Sequence, residues 1–168
     1  MKLTIRKGGA GDLERFISLL EEVRAGMEHQ EWFYLDPPDF VREAMEQGSM
    51  ELWVAMDGDT MAAALDILRP GMESYNYGFD LGLSEEELLR VVNMDSAAVH
   101  PDYRGQGLQA RLIQCAEEQL KQEGNRILLC TVHPDNRFSL QNVQNQGYVI
   151  QKKLAKYGSV RYLLRKDI

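Results

Sequence analysis

The sequence predicts an α/β (α+β) fold, a mixed central sheet of six to seven strands with helices on both faces, in the order β-α-α-β-β-β-α-β-α-β-β. Three features predict it: two amphipathic helical patterns near the N-terminus, an antiparallel hairpin within residues 51–68, and a strand-loop-helix-strand unit within residues 91–132. At 168 residues, 27% charged and 44% hydrophobic, the chain has the size and composition of one domain with a sizeable core, and residues 1–168 are read as that single domain.

Leu3, Thr4, Ile5 and Arg6 alternate as a short first strand, which the glycine-rich stretch 7–11 breaks. Asp12 suits the N-cap of a helix whose apolar stripe is Leu13, Phe16, Ile17, Leu20 and Val23. Asp36, Pro37 and Pro38 open a second helix, with Asp36 as cap and a proline in the first turn; it carries Phe40, Val41, Ala44 and Met45 until Gly48. Between the helices, residues 29–34 mix aromatic and polar side chains, and read either as a packed loop or as the wall of a substrate site.

Residues 51–56 and 60–68, joined by Asp57-Gly58-Asp59, are the clearest hairpin signal in the chain. The connection 69–90 that follows is long for a compact domain and contains Tyr75, Tyr77, Phe79 and Asp80, so it is read as a substrate-facing flap. Within it Ser84 and Glu87 form a capping box for a short acidic helix. Residues 91–99 make a strand whose alternation puts Asn93, Asp95, Ala97 and Val99 on one face and Val92, Met94, Ser96 and Ala98 on the other. Leu108, Leu112, Ala116 and Leu120 then mark a helix ending at Gly124, and residues 126–132 read as a buried strand parallel to the one before it. A last helix runs from Asn136 to Gln146, and two closing strands flank Tyr157-Gly158-Ser159.

A net charge of −7 argues against nucleic acid and anionic membrane as partners. No apolar run approaches a bilayer span and no signal core opens the chain, so a cytoplasmic protein is expected. Cys115 and Cys130 read as reduced thiols, and no Cys/His spacing fits zinc, so no metal is expected.

The chemistry gathers in residues 99–110. Arg104 brings a fixed charge, Gly105 and Gly107 permit backbone angles closed to other residues, and the amides that follow open a helix with unpaired N–H groups, a design for gripping pyrophosphate. Residues 105–110 formally satisfy G-x-G-x-x-(G/A), but they stand too far from the strand and too late in the chain for a dinucleotide fold, and no Walker loop exists. Val99, Pro101, Tyr103, Arg104, Gly105 and Gly107 instead resemble the acetyl-coenzyme A signature (Q/R)-x-x-G-x-(G/A) of the GCN5-related N-acetyltransferases, or GNAT family. Asn136, Ser139, Gly147 and Tyr148 are similar to the family's second pattern. Gln109 departs from the signature, which ends in glycine or alanine.

That resemblance implies a GNAT-like sheet in which two central parallel strands splay around the pantetheine arm of acetyl-coenzyme A. It implies that the main chain of Ala97 and Val99 pairs with that arm. The N–H groups of Arg104, Gly105, Gln106, Gly107, Leu108 and Gln109 would hold pyrophosphate. Asn136 and Ser139 would face the cofactor from the other side, although Asn136 reads equally well as a plain N-cap. Direct attack needs a neutral amine, so a carboxylate that takes its proton is expected. Asp95 stands where the family often has an acid; a structural carboxylate bonded to the flap is the alternative. Where many relatives have a tyrosine, seven residues after Asn136, this chain has Val143, leaving the thiolate's proton donor unassigned. The implied reaction is acetyl transfer to a primary amine of a small molecule or peptide, with a cofactor-sensing or non-catalytic domain as the alternative. The acceptor is left unidentified, and the assembly state is open, a homodimer among the options.

Overall fold

The computed structural model describes residues 2–168. The strands are β1 (Leu3–Lys7), β2 (Met50–Asp57), β3 (Thr60–Leu68), β4 (Val91–Val99), β5 (Ile127–Val132), β6 (Val149–Lys156) and β7 (Ser159–Asp167). The helices are α1 (Leu13–Ala25), α2 (Pro38–Glu46), α3 (Glu85–Leu88), α4 (Leu108–Gln122) and α5 (Arg137–Asn145). One seven-stranded sheet carries them in the order β1-β2-β3-β4-β5-β7-β6, mixed as predicted because only β4 and β5 run parallel.

Each face of the sheet buries a helical layer. On one, Leu108, Leu112, Ala116 and Leu120 of α4 and Val143 of α5 pack on Leu65, Ile67, Val92, Met94 and Leu128. On the other, Phe16 and Leu20 of α1 and Val41 and Ala44 of α2 pack on Leu52, Val54, Ala64 and Ala98. Phe16 is fully enclosed, and truncating such a side chain to alanine costs about 3–5 kcal/mol. The rest of that second face is covered by the 69–90 connection, where Tyr77 packs with Val91, Ile127, Leu129 and Leu163. This segment is anchored by polar groups: Asn93 donates to the Tyr75 carbonyl (2.9 Å), and buried Asn76 donates to the carbonyls of Gly71 (2.8 Å) and Leu88 (3.0 Å). The expected helix is α3, and Ser84 and Glu87 form its capping box.

Two expected caps work differently. Asp12 precedes α1, yet its carboxylate accepts from Gly9 N–H (2.9 Å) and from both ends of the Arg6 fork (2.8 and 2.9 Å), closing the turn ahead of the helix. The Arg6 guanidinium holds that carboxyl down at about 2. Helix α2 has Pro37 at its N-cap, and Asp36, one residue earlier, turns its carboxylate inward instead of capping.

The strand β4 corrects the sequence in a way that matters for the site. Its ladder with β3 pairs Asp66 with Ser96 but Ile67 with Met94, so Asp95 is an extra residue, a β-bulge. The bulge resets the alternation: Ala97 and Val99 pack with Val92 and Met94 in the α4 layer, rather than sharing a face with Asn93.

Candidate active site

The parallel ladder between β4 and β5 stops early. Val91, Val92 and Asn93 pair with Ile127, Leu128 and Leu129, and beyond them the two strands no longer pair with each other. His100 donates its N–H to Ala62 of β3 (2.8 Å), so by alternation Ala97 and Val99 direct their main-chain groups away from β3, into the opened gap.

A cavity of about 110 Å³ occupies this gap. Its walls include Met94, Asp95 and Ala97 of β4, Cys130, Thr131 and Val132 of β5, Gln109 and Ile113 of α4, and Asn136, Ser139 and Val143 at α5. The site residues expected from the sequence therefore separate into two groups. Asp95, Ala97, Gln109, Asn136 and Ser139 line the cavity. Arg104, Gly105, Gln106 and Gly107 form the exposed turn before α4, and Leu108 buries its side chain in the core, leaving only its N–H to the turn. Val99 presents main chain alone.

The turn fits an anion. Gly107 is the N-cap of α4 in the left-handed region (φ 67°) and supplies no side-chain cap. The N–H groups of Gly105, Gln106, Gly107, Leu108 and Gln109 find no acceptor among the described residues, so a row of donors opens at the positive end of a fifteen-residue helix. Asn136 also caps α5, its Oδ1 accepting from Ser139 N–H at 3.3 Å; capping and cavity-lining coincide in one side chain. Val143 is buried in the wall.

A second, smaller cavity of about 40 Å³ adjoins the first, and Trp32, Phe33, Asp95 and Thr131 border both. Its other walls are Tyr34, Tyr77, Ser96, Tyr157 and Arg161. The stretch 29–34 is thus a site wall and a packed loop at once: Trp32 stacks on His29, and Phe33 packs against the α1–α2 core. Of the 69–90 connection, Tyr77 reaches this cavity.

Asp95 is the point where the two cavities meet. The Tyr77 hydroxyl donates to it (3.1 Å) and lies 2.7 Å from the Tyr157 hydroxyl. Carboxylate oxygens of Asp36, Asp66 and Asp95 lie within 4.8 Å of one another. Burial, with the neighbouring Asp66 and Asp36 charges, pushes the Asp95 carboxyl well above the usual range, against which the Tyr77 hydrogen bond works. Burial likewise pushes Asp66 up to about 8, although its Oδ1 accepts from Ser96 N–H at 2.8 Å. Asp66 and Asp95, both raised by burial, share a proton between them.

Tyr157 and Arg161 were missed at the level of sequence, where they read as turn and closing strand. Tyr157 has φ 58°, a left-handed angle unfavourable for a bulky side chain, in the β6–β7 hairpin. Stacking on Tyr34 (centroids 3.9 Å apart, planes 7° off parallel) and the Tyr77 contact hold it there. A Tyr-Gly in place of the usual Asn-Gly at a two-residue turn was the available signal. Cys115 and Cys130 are free thiols; Cys130 lies in the cavity wall, and burial pushes it up to about 12.

Residues 16–148 match the acetyltransferase (GNAT) family model. Among solved structures, an acetyltransferase of the GNAT family from Streptococcus pneumoniae superposes with a TM-score of 0.75 at 17% identity, covering 99% of this chain and 100% of that one. The ribosomal-protein-S18-alanine N-acetyltransferase from Escherichia coli gives 0.75 at 15% identity, over 99% of this chain and 94% of that one. NAA60 from Arabidopsis thaliana, in complex with acetyl-CoA, gives 0.74 at 16% identity, over 99% of both chains. No curated protein matches the sequence. Among the described residues no helix is long and apolar enough to cross a membrane.

Proposed function

The chain belongs to the acetyltransferase (GNAT) family, and from that membership we propose that it moves an acetyl group from acetyl-coenzyme A to the primary amine of a small molecule or peptide by direct attack. The observation that carries the reading is the position of Asp95 on the wall common to both cavities, where a carboxylate can meet an amine arriving from one side and a thioester arriving from the other.

Acetyl-coenzyme A, when bound, supplies an activated acyl carbon. The chain's own residues do the rest. The free N–H groups of residues 105–109 and the Arg104 guanidinium hold pyrophosphate, and the main chain of Ala97 and Val99 pairs with the pantetheine amides. The N–H groups that β4 leaves unpaired in the gap are donors for the thioester oxygen as it gains charge. Asn136 and Ser139 border the same channel from α5.

Asp95 takes the first proton from the acceptor ammonium. An ordinary aspartate is far too weak a base for this; burial, together with the crowding of Asp66 and Asp36, raises its basicity toward the task. The new N–C bond forms as the C–S bond breaks. The nitrogen loses a second proton as the amide forms, the thiolate takes up one, and one proton per turnover leaves through the acidic cluster. With Val143 in the wall, no tyrosine at that position protonates the thiolate, whose modest basicity makes it a tolerable leaving group.

The test is free-thiol release from acetyl-coenzyme A in the presence of amino acids, polyamines and peptides with free N-termini. Amine-dependent release above background is expected. Tight acetyl-coenzyme A binding with no amine-dependent release would leave a sensing domain as the correct reading.

A further inference from the structure

Arg161 is 3% exposed and carries its charge without a counter-ion. Its Nη1 donates to the Val160 carbonyl (2.9 Å) and its Nη2 to the Glu31 carbonyl (2.6 Å), both neutral acceptors. These use two of its five N–H donors. No carboxylate among the described residues pairs with it: the Glu31 carboxylate lies 3.5 Å from His29, and that of Asp80 is taken by Lys156 at 2.9 Å. Arginine cannot shed its proton to escape burial, and a buried cation left without an anion is costly.

This guanidinium lines the same small cavity as Asp95. One compact chamber therefore holds a cationic group and an acidic group: Asp95 accepts from the Tyr77 hydroxyl, which touches the Tyr157 hydroxyl, and Arg161 lies 6.0 Å from the centre of the Tyr157 ring, itself stacked on Tyr34. Such an arrangement recognises a molecule carrying both charges. A simple alkylamine would satisfy the acid and leave Arg161 unanswered; a guanidinium offers its planar fork to a carboxylate.

We infer that the acceptor is a free amino acid, its carboxylate received by Arg161 while its amine stands beside Asp95. This rests on the acetyl-transfer reading above and narrows it. The two carbonyl bonds pre-set the guanidinium, so it needs no reorganisation when the ligand arrives.

The test compares kcat/KM for matched pairs, each amino acid against its own carboxamide: glycine, alanine, β-alanine and γ-aminobutyrate, followed by thiol release with the full chain. The amide's amine is less basic and so more often neutral, which biases the comparison against the inference. A preference for the acids of at least tenfold is expected. In Arg161→Gln that preference falls at least tenfold, and Arg161→Lys restores part of it. Because the readout is a ratio on one preparation, any loss of folded protein cancels. Amides or N-terminal peptides acetylated as well as the free acids, or a ratio in Arg161→Gln equal to the parent's, would overturn the inference while leaving acetyl transfer intact. Absence of thiol release with every amine overturns the acetyl-transfer reading itself, and this inference with it.

Discussion

The Tyr77 hydroxyl donates to the Asp95 carboxylate at 3.1 Å, and through it a residue from the long 69–90 connection stabilises the ionised form of an acid on the bulge of β4. The same hydroxyl is 2.7 Å from Tyr157, on the far hairpin, so three separate parts of the chain meet at one proton-bearing group. The consequences can be measured.

Removing the Tyr77 hydroxyl takes away a bond that lowers the Asp95 pKa. In Tyr77→Phe the carboxyl rises further, so the ascending limb of the pH profile of kcat/KM moves to higher pH. A profile unchanged in position would show that Asp95 does not set that limb.

Asp95→Asn keeps the shape and loses the base. Turnover with any amine acceptor should fall about a hundredfold or more. Acetyl-coenzyme A affinity by calorimetry should stay within about threefold, because the groups assigned to the cofactor are main-chain amides, the Arg104 guanidinium and residues on α4 and α5. Full activity in this variant would remove Asp95 from the mechanism.

Gly107 sits at φ 67° with nothing within 4 Å of where a Cβ would go, so a valine there meets backbone strain rather than a clash. Gly107→Val should relax the turn, misdirect the row of N–H donors and weaken acetyl-coenzyme A binding about tenfold, or ~1.4 kcal/mol. Unchanged affinity would mean that the turn is not the pyrophosphate grip.

Burial raises the Asp66 carboxyl to about 8. In the unfolded chain it ionises near pH ~4. Between those values the native state holds a proton that the unfolded state has lost, so the stability it contributes is fully present below about pH 4 and is lost as pH rises through about 8. Asp66→Asn should flatten this decline, raising the thermal midpoint at pH 8 relative to the parent by more than at pH 5.

Much of the architecture was legible in the chain because it depends on local patterns. The four-residue repeat of Leu108, Leu112, Ala116 and Leu120 can bury only one side of a helix, and that side meets the sheet. The Asp57-Gly58-Asp59 turn permits only an antiparallel return, and β2 and β3 pair accordingly. The glycine turn before α4 was legible for the same reason, since glycine at a left-handed angle before a helix is a requirement of the backbone itself. The small cavity at Asp95 was not. A one-residue bulge leaves no mark in a strand of Asn93, Met94, Asp95, Ser96 and Ala97, yet it places Asp95 apart from the alternation and turns Ala97 to the opposite face from Asn93.

Nor could the sequence show that Asp36, written as a helix cap, would come within 4.8 Å of Asp66 and Asp95, or that Arg161 would line the same small cavity as Asp95, buried and without a counter-ion. What the sequence by itself determined is the order of elements, the sheet-and-helix layering and the backbone grip before α4, each carried by periodicity or by a conformational demand within a few residues. What only the tertiary structure decided is the electrostatics around Asp95 and Arg161. Charges and carbonyls from residues 31 to 161 meet there across the sheet, and their pKa values and unmet pairing depend on burial and distance, which neighbours in sequence do not set.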